Sequence, residues 1–524
     1  MSAAASVPFD AIVVGAGHNG LVCAATLARA GRRVLVLEAG ATVGGCAVTR
    51  EFAPGFRVSA GAHLLHQMPA ELIDELGLAG HGLEFAATGL PTTALAAGAE
   101  ALEIGDGAAL ARRSAADARA WPLYDARLKR FARLLHGVLA APAPRLGSDA
   151  WPDRLALGKL GLRLRLLGKR DMREFLRIIG MNAYDLVTDE FETPLLRGAL
   201  SLDAVLGTNF GPRAPGTVLT LLYRLAAESA AGPRALALPK GGMGAVTQAL
   251  ARAAATAGAT IRTAAPVARI AVRDDRTAGV VLESGEEIAA GTVISNADAK
   301  TTFLKLLGAE YLDTGFVRRV DHFRSRGVTA KLHLALDRLP AFGGTSPRAL
   351  GGRLLIAPSP DYVERAWNHS KYLEWSAQPA LEISLPTVHD PGLAPAGRHV
   401  LSATVQYAPY APEGGWQAQK PLFLDAVLGV LEAHAPGLRA SILAAELSTP
   451  ADLEREFRMS GGHWHHGDLA FDQFYMVRPV PGAAQHSTPL GGLYLCGASC
   501  HPGGGVMGLA GRNAARRVLA EAGR

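Results

Sequence analysis

The chain has 524 residues, more than the roughly 250–300 at which a single hydrophobic core stops growing, so we expect two joined domains. Hydrophobic residues make up 49% of it and charged residues 19%, which excludes a disordered or fibrous protein. The 53 basic and 47 acidic residues leave a diffuse charge of +6, which argues against a nucleic-acid partner. Four cysteines cannot form a disulfide framework and no apolar run reaches the roughly 18 residues of a membrane span, so a cytoplasmic protein is predicted.

The first strong pattern is a strand, a glycine-rich turn and a helix near the start of the chain. An apolar run of strand length at residues 11–14 leads into the turn, and a helical pattern follows it. Gly15 permits a tight turn, Gly17 lets the backbone approach a pyrophosphate, and Gly20 lets the helix pack against the strand. This arrangement predicts a dinucleotide-binding βαβ unit.

Two further features of this unit indicate how a nucleotide is held. The helix N-terminus, with Asn19 in its first turn, offers free N–H groups and partial positive charge to phosphates. A second apolar run ends at Glu38, which is placed to accept hydrogen bonds from ribose hydroxyls. Because this carboxylate would repel a 2′-phosphate, the pattern argues against NADP.

A second glycine doublet, Gly44-Gly45, favours FAD over NAD. A bare NAD domain does not need it, whereas the longer FAD is supported again at its phosphates. Cys46 follows the doublet directly, where dithiol flavoenzymes carry a redox pair, but residues 48–57 contain no partner cysteine. Cys46 is therefore interpreted as a small packed side chain.

The C-terminal region carries a third nucleotide-binding pattern. A strand pattern ends at Gly497, and a turn containing Gly504, Gly505 and Val506 precedes a helix. The N-terminus of such a helix can stabilise negative charge on a reduced flavin ring.

Together these motifs resemble the FAD-binding motifs of the glutathione-reductase-fold flavoproteins, in the branch of the amine oxidases and carotenoid desaturases. The whole pattern is most similar to the phytoene-desaturase-related group, which includes pyridine nucleotide-disulfide oxidoreductase domain protein 2. The resemblance implies an α/β fold, with a glutathione-reductase-type Rossmann FAD-binding domain and an inserted α+β substrate domain. It also implies FAD as the cofactor and a backbone contact between Val267 and the adenine.

The resemblance is carried by separate stretches, so the FAD-binding domain is predicted to be noncontiguous. Its predicted pieces are residues 1–75, 233–300 and 455–524. The substrate domain is predicted at residues 76–232 and 301–454, where strand patterns indicate a sheet backed by helices.

Residues 153–181, in the first substrate piece, are basic and apolar together. Between Asp153 and Arg177, eight Lys/Arg and three acids give 8 − 3 = +5, interleaved with leucines. Such a segment predicts contact with an anionic membrane surface that admits a lipid-soluble substrate. The alternative is a solvated helical hairpin or a dimer face, so the oligomeric state stays open.

Histidines and aromatic residues before the C-terminal motif are the candidate catalytic groups. His463, His465 and His466 lie in a glycine-rich stretch and Tyr475 follows, a position that borders the reactive face of the flavin in the resembling family. A neutral imidazole there could orient a substrate or accept a proton. His501 is a candidate for ring contact or covalent flavin attachment. The histidine spacing fits no regular metal site, so no metal is predicted.

The predicted function is an FAD-dependent dehydrogenase or desaturase that removes hydride from a hydrophobic, isoprenoid or carotenoid-like small molecule. No nucleophile motif appears, and none is needed when the flavin takes the hydride. His63 and His66 form a second candidate pair of catalytic histidines.

Three alternatives stay open. A flavin amine oxidase would share the FAD motifs and need a substrate-facing lysine, for which Lys300 and Lys331 are the candidates. Polyene isomerases and saturases use the same scaffold. The fold also resembles the Rab GDP-dissociation inhibitors, which bind prenylated partners without flavin chemistry, although they do not need the phosphate-binding glycines that this chain retains.

Overall fold

The computed structural model describes residues 9–232 and 235–522. Residues 1–8, 233–234 and 523–524, which belong to the predicted FAD-binding pieces, lie outside the described residues. In chain order, the strands are β1 (Ala11–Val14), β2 (Val34–Leu37), β3 (Thr49–Ala53), β4 (Phe56–Ser59), β5 (Phe85–Ala87), β6 (Thr92–Ala94), β7 (Leu102–Glu103), β8 (Leu238–Pro239), β9 (Thr260–Arg262), β10 (Val267–Arg273), β11 (Arg276–Leu282), β12 (Glu287–Ala289), β13 (Val293–Ser295), β14 (Thr329–Leu336), β15 (Arg353–Ile356), β16 (Leu381–Ser384), β17 (His399–Gln406), β18 (Ile442–Ser448) and β19 (Leu493–Leu495). The helices are α1 (His18–Arg29), α2 (Ala70–Glu75), α3 (Gly107–Arg113), α4 (Ala115–Leu139), α5 (Trp151–Leu166), α6 (Gly168–Ile178), α7 (Ala183–Glu190), α8 (Pro194–Val205), α9 (Thr217–Ala231), α10 (Met243–Thr256), α11 (Thr314–Asp321), α12 (Pro347–Leu350), α13 (Pro360–Lys371), α14 (Gly415–His434), α15 (Pro450–Phe457) and α16 (Leu509–Ala522).

A five-stranded parallel sheet forms the centre of the first layer structure, in the order β19-β13-β1-β2-β9. Helices α1, α10 and α16 pack on one face, and the antiparallel sheet β10-β11-β12 packs on the other. Strands buried on both faces explain why β1, β2 and β13 read as continuous apolar runs. Because these strands come from three separate stretches of chain, the predicted α/β class with a noncontiguous Rossmann domain is confirmed.

A seven-stranded mixed sheet forms the second layer structure, in the order β18-β14-β17-β16-β15-β6-β7. Its strands fall within the two predicted substrate pieces, whose boundaries remain predictions. All eight residues of the central strand β14 are buried. Its leucines pack with α14 on one face, whereas Lys331 and His333 alternate onto the other face, toward the first layer structure. This alternation delivers polar side chains to the junction of the two sheets.

A helical layer completes the substrate region. Helices α4, α8 and α9 bury a continuous apolar cluster that contains Phe131, Leu196 and Leu222. The basic segment at 153–181 is helical, as α5 and α6, and α5 has no buried residue. Within residues 9–232 and 235–522, no helix is long and apolar enough to cross a bilayer.

Candidate active site

A cavity of about 320 Å³ lies between the loops of the parallel sheet, the seven-stranded sheet and α9. Its size is within the usual range of small-molecule sites. One part, which we call the glycine end, is lined by Gly15, Gly17, Glu38, Gly44 and Gly45. The other part, which we call the charged end, is lined by His63, His66, Asp203, Arg224 and Glu382.

Two glycine loops meet at the glycine end. The Gly44 N–H donates to the Ala16 carbonyl at 2.9 Å, so the second doublet lies beside the first turn. A Cβ on Gly17 would come within 2.8 Å of Asn296 Nδ2, and one on Gly20 would come within 2.1 Å of the Gly15 carbonyl oxygen. The predicted close approach of α1 to the turn is therefore confirmed, and the loops present bare backbone to the cavity.

Glu38 is held rigidly at the end of β2. Its Oε2 accepts from the Ala16 N–H at 2.7 Å, and its Oε1 accepts from the Gly40 N–H at 2.8 Å. Each carboxylate oxygen keeps a lone pair for a ribose hydroxyl. Val267, the first residue of β10, also lines the cavity, as the predicted adenine contact requires.

The polar atoms around the loops fit a dinucleotide. Within the described part of the chain, Asn19 Oδ1 and His18 Nε2 are buried without a hydrogen-bond partner, and both residues line the cavity. Burial lowers the pKa of His18 to about 4, so its ring is neutral and free to make a hydrogen bond to a ligand. Unsatisfied buried groups in a bare backbone cradle are features that a bound phosphate-rich cofactor explains. The residues present therefore fit FAD.

The C-terminal turn divides between lining and support. Gly505 and Val506 line the cavity three or four residues before α16 begins. Gly497 and Gly504 are not cavity-lining residues. A Cβ on Gly497 would meet the Asn296 carbonyl oxygen at 2.6 Å, and one on Gly504 would meet His465 Nδ1 at 2.3 Å, so both glycines permit close packing behind the wall.

The structure separates the three adjacent histidines. His465 and His466 line the cavity, and burial lowers the pKa of both rings, which makes them neutral groups rather than strong proton acceptors. His463 faces away: its Nε2–H donates to Asp468 Oδ1 at 3.0 Å while its Nδ1 accepts from the His465 N–H at 3.2 Å. His463 therefore positions the loop that carries the other two.

Tyr475 and His501 lie outside the cavity lining. The His501 Nε2 lies 3.1 Å from the carbonyl oxygens of Val138 and Ala141, at the end of α4. The Tyr475 ring stacks 5.1 Å from it. The predicted contact of these two side chains with the reacting groups is not supported by their placement, and the ring of His501 is engaged elsewhere.

Cys46 lines the cavity as a free thiol, and burial raises its pKa to about 12. It is therefore protonated and a poor nucleophile, in agreement with the prediction of a packed side chain. Cys23 is buried inside α1.

A buried chain of charged and polar groups builds the charged end. His63 lies at its centre: its Nδ1 is 2.6 Å from Lys331 Nζ, and its Nε2 is 3.1 Å from Glu382 Oε1. The ring therefore accepts from the lysine and donates to the carboxylate. Arg353 pairs with both Glu382 and Asp203. The chain thus links β14, β16, β15 and α8 to the loop after β4.

The charges of this chain are strongly perturbed. Burial lowers the pKa of Lys331 to about 7. Burial opposes ionisation of Glu382, but the Arg353 charge and the His63 hydrogen bond hold its pKa well below the usual range. Sequence analysis named His63, His66 and Lys331 but missed Glu382, Arg353, Asp203 and Arg224. A signal was present, because Lys331 and Glu382 interrupt otherwise apolar strands.

The fold and cavity define an FAD-dependent flavoprotein, and comparison with known proteins agrees. The sequence model of the family described as flavin containing amine oxidoreductase matches residues 20–519, and the chain belongs to that family. It is 36% identical over 546 residues to pyridine nucleotide-disulfide oxidoreductase domain-containing protein 2 of Mus musculus, covering 98% of this chain and 93% of that protein.

Two further comparisons extend the similarity. A limonene dehydrogenase polypeptide of Castellaniella defragrans is 27% identical over 543 residues, covering 98% of this chain and 95% of that protein. Cyclohexylamine oxidase from Brevibacterium oxydans has a solved structure with a TM-score of 0.60 and 18% identity, covering 99% of this chain and 100% of that one, which shows the shared fold. The predicted family, FAD as cofactor and FAD-dependent oxidoreductase activity are confirmed.

Proposed function

We propose that the protein is a dehydrogenase that converts a C–C single bond of a terpenoid-like substrate into a double bond. The observation that supports this most is the continuity of the cavity, which joins the FAD-binding loops to an apolar wall of Leu206, Tyr223, Trp464 and Leu469. The limonene dehydrogenase polypeptide is a relative over nearly the whole chain, and limonene is an isoprenoid hydrocarbon. A carotenoid-length substrate belongs to the same proposal.

The side chains of the apolar wall are held in place by close packing. A Cβ on Gly503 would lie 2.9 Å from Leu469 Cδ2 and 3.0 Å from Tyr223 Oη, and the Tyr223 hydroxyl donates to the Gly504 carbonyl at 2.6 Å. A rigid wall of this kind orients a hydrocarbon and excludes water.

The chemistry balances with one hydride and one proton leaving neighbouring carbons. FAD, when bound, supplies the two-electron acceptor for the hydride, and an external oxidant such as oxygen or a quinone must later remove the electrons. The residues supply the proton acceptor: His63 lines the cavity, and Lys331 behind it has a pKa of about 7 and is therefore partly neutral at physiological pH.

Amine oxidation is the second candidate, and Lys331 is the observation that favours it. Lys331 is the buried lysine at the junction of the two domains, whereas Lys300 precedes the π-helical turn at Thr301–Leu307 and is not a cavity-lining residue. The aromatic pair expected to flank an amine is not seen among the described ring contacts, because Trp464 meets only His465, at an interplanar angle of 84°. We therefore place dehydrogenation of a hydrocarbon first.

Anaerobic bleaching of the oxidised-flavin absorption tests the proposal. We expect limonene or a longer polyene to bleach the band and amines to leave it unchanged. The Leu469→Asn variant should lose the bleaching, whereas Leu443→Asn, at an exposed leucine, should retain it. Bleaching by amines alone would move the protein to amine oxidation, and a changed double-bond geometry without net bleaching would indicate an isomerase.

We further propose that α5 and α6 dock on an anionic membrane. Trp151, Leu162 and Leu166 are 68%, 58% and 75% exposed, among basic side chains of the same two helices. Apolar side chains that insert between headgroups, with cations around them, fit an anionic lipid surface. A lipid-soluble substrate would then be collected from that surface.

Cosedimentation with vesicles tests this docking. We expect binding to vesicles that contain phosphatidylserine, weakening with added salt, and little binding to phosphatidylcholine alone. A Leu162→Gln/Leu166→Gln protein should lose binding, and Leu443→Gln should keep it. Wild-type protein that stays in the supernatant, with the double variant changing only the oligomeric state in size-exclusion chromatography, would favour a dimer face instead.

A further inference from the structure

Arg224 is a buried arginine of α9 that lines the charged end of the cavity. Only 7% of its surface is exposed. Its Nε lies 3.2 Å from Glu228 Oε1 and 3.6 Å from Asp203 Oδ1, so acids contact one side of the guanidinium. This leaves the donors of the other side to be accounted for.

The Arg224 NH2 group has no hydrogen-bond partner among the described residues. The nearest carboxylate oxygen, Glu382 Oε2, is 3.8 Å away and is already paired with Arg353. A separation of 3.8 Å is too long for a hydrogen bond. The fold therefore buries an arginine with unused donors against the cavity.

A second unsatisfied atom lies at the same end. His66 Nδ1 is buried without a partner in the part of the chain that the structure describes, and its residue lines the cavity. Burial, followed by the nearby Arg224 charge, holds the pKa of His66 well below its usual value, so the ring is neutral. One tautomer of a neutral imidazole carries its hydrogen on Nδ1 and is a donor there.

Neighbouring hydroxyl groups do not satisfy these atoms. The Thr220 hydroxyl donates to the Thr217 carbonyl at 2.7 Å, and the Thr208 hydroxyl donates to the Val205 carbonyl at 2.8 Å. Both threonines line the cavity, yet their hydrogens are directed to the backbone. The unmet need at the charged end is therefore for an acceptor atom.

The local charge indicates which acceptor fits. The positive charges of Arg224 and Arg353 face the negative charges of Asp203 and Glu382, which makes the group near neutral. An added carboxylate would lie close to both existing carboxylates, whereas a neutral oxygen would not be repelled.

We propose that the charged end binds a neutral carbonyl oxygen of the substrate, with Arg224 and His66 as donors. This inference rests on the proposed dehydrogenase function and narrows its substrate class to ketones, aldehydes or esters with an apolar skeleton. The skeleton lies against Leu206 and Trp464, and the carbonyl defines which end of the molecule points away from the glycine end. Arg224 is thus a specificity-determining residue.

Binding to the oxidised holoenzyme, followed by the perturbation of its flavin absorption spectrum, tests the site without turnover. The probes share one skeleton: carvone as the ketone, limonene as the hydrocarbon, perillic acid as the carboxylate and carvylamine as the amine. We expect carvone to bind at least roughly tenfold more tightly than the other three, the usual effect of a hydrogen bond to a charged group.

Variants assign that preference to residues. Arg224→Met and His66→Leu should each reduce carvone binding to the limonene level, Arg224→Lys should retain part of it, and FAD content should stay unchanged. Arg213→Met, at an arginine whose side chain is 51% exposed, is the matched control. Because Arg224→Met removes a buried charge, thermal melting accompanies it, and His66→Leu tests the site with the charges intact.

Three outcomes would overturn the inference. Equal affinity for carvone and limonene would show that no carbonyl site exists, and tighter binding of the acid or the amine would assign the site to a charged group. Loss of FAD from Arg224→Met with its fold retained would make Arg224 a cofactor ligand. Each outcome is separate from the bleaching test, because a substrate that bleaches the flavin can still lack a carbonyl.

Discussion

The two ends of the cavity recognise their ligands in opposite ways. At the glycine end, recognition is by backbone: Gly17 and Gly44 present bare peptide groups, and the only fixed charge we identify in its lining is Glu38, itself held by two backbone N–H groups. At the charged end, recognition is by side chains from α8, α9, β15 and β16. The first kind of site tolerates almost no change of shape, whereas the second depends on a balance of charge.

This difference predicts how each end fails. A backbone cradle is blocked by one added side chain, so its loss should be complete. A network of paired charges redistributes when one member is removed, so its loss should be graded and dependent on pH.

The largest effect is expected at Gly17. A Gly17→Val protein should be purified without FAD, because the new side chain would contact Asn296 and fill the space beside the pyrophosphate-binding turn. The flavin absorbance of the purified protein measures this. Gly180→Val is the control, since no atom lies within 4 Å of a Cβ at that position. Full flavin occupancy in Gly17→Val would remove the basis of the cofactor site.

A graded effect is expected at Lys331. Its pKa is about 7 in the folded protein and 10.5 ordinarily, so between these values the unfolded chain binds a proton that the folded chain does not. The stability of the wild type should therefore rise with pH over that window, by about 1.4 kcal/mol per pH unit from this group.

Comparison of Lys331→Met with wild type isolates that contribution. The thermal stability of the variant relative to wild type should fall steadily from pH 7 to pH 10, because only the wild type gains from deprotonation. Lys129→Met, at an exposed lysine, should show no such trend. A constant difference between Lys331→Met and wild type would mean that the buried lysine keeps an ordinary pKa.

The smallest effect on chemistry is expected at His501, which lies outside both ends. His501→Leu removes the hydrogen bond shared by the Val138 and Ala141 carbonyls and should cost about 1–2 kcal/mol of stability with flavin content unchanged. Acid denaturation should release FAD from both wild type and variant. Flavin that remains attached to the wild-type chain alone would instead identify His501 as its covalent link.

The histidines illustrate what could be predicted from sequence. The glycine-rich stretch correctly pointed to His465 and His466 at the cavity, but the same pattern could not tell that His463 turns toward Asp468. Which way a side chain points from an irregular loop depends on long-range packing, and no periodicity encodes it.

The sequence by itself determined the fold class, the FAD-binding glycines and Glu38, because these lie in short segments whose spacing is set by local backbone geometry. Only the tertiary structure decided the charged end. His63 and Glu382 are 319 residues apart and meet because β16 and the loop after β4 converge on one cavity. Burial at that junction, which no single segment contains, is what shifts the pKa of Lys331 and leaves Arg224 with unused donors.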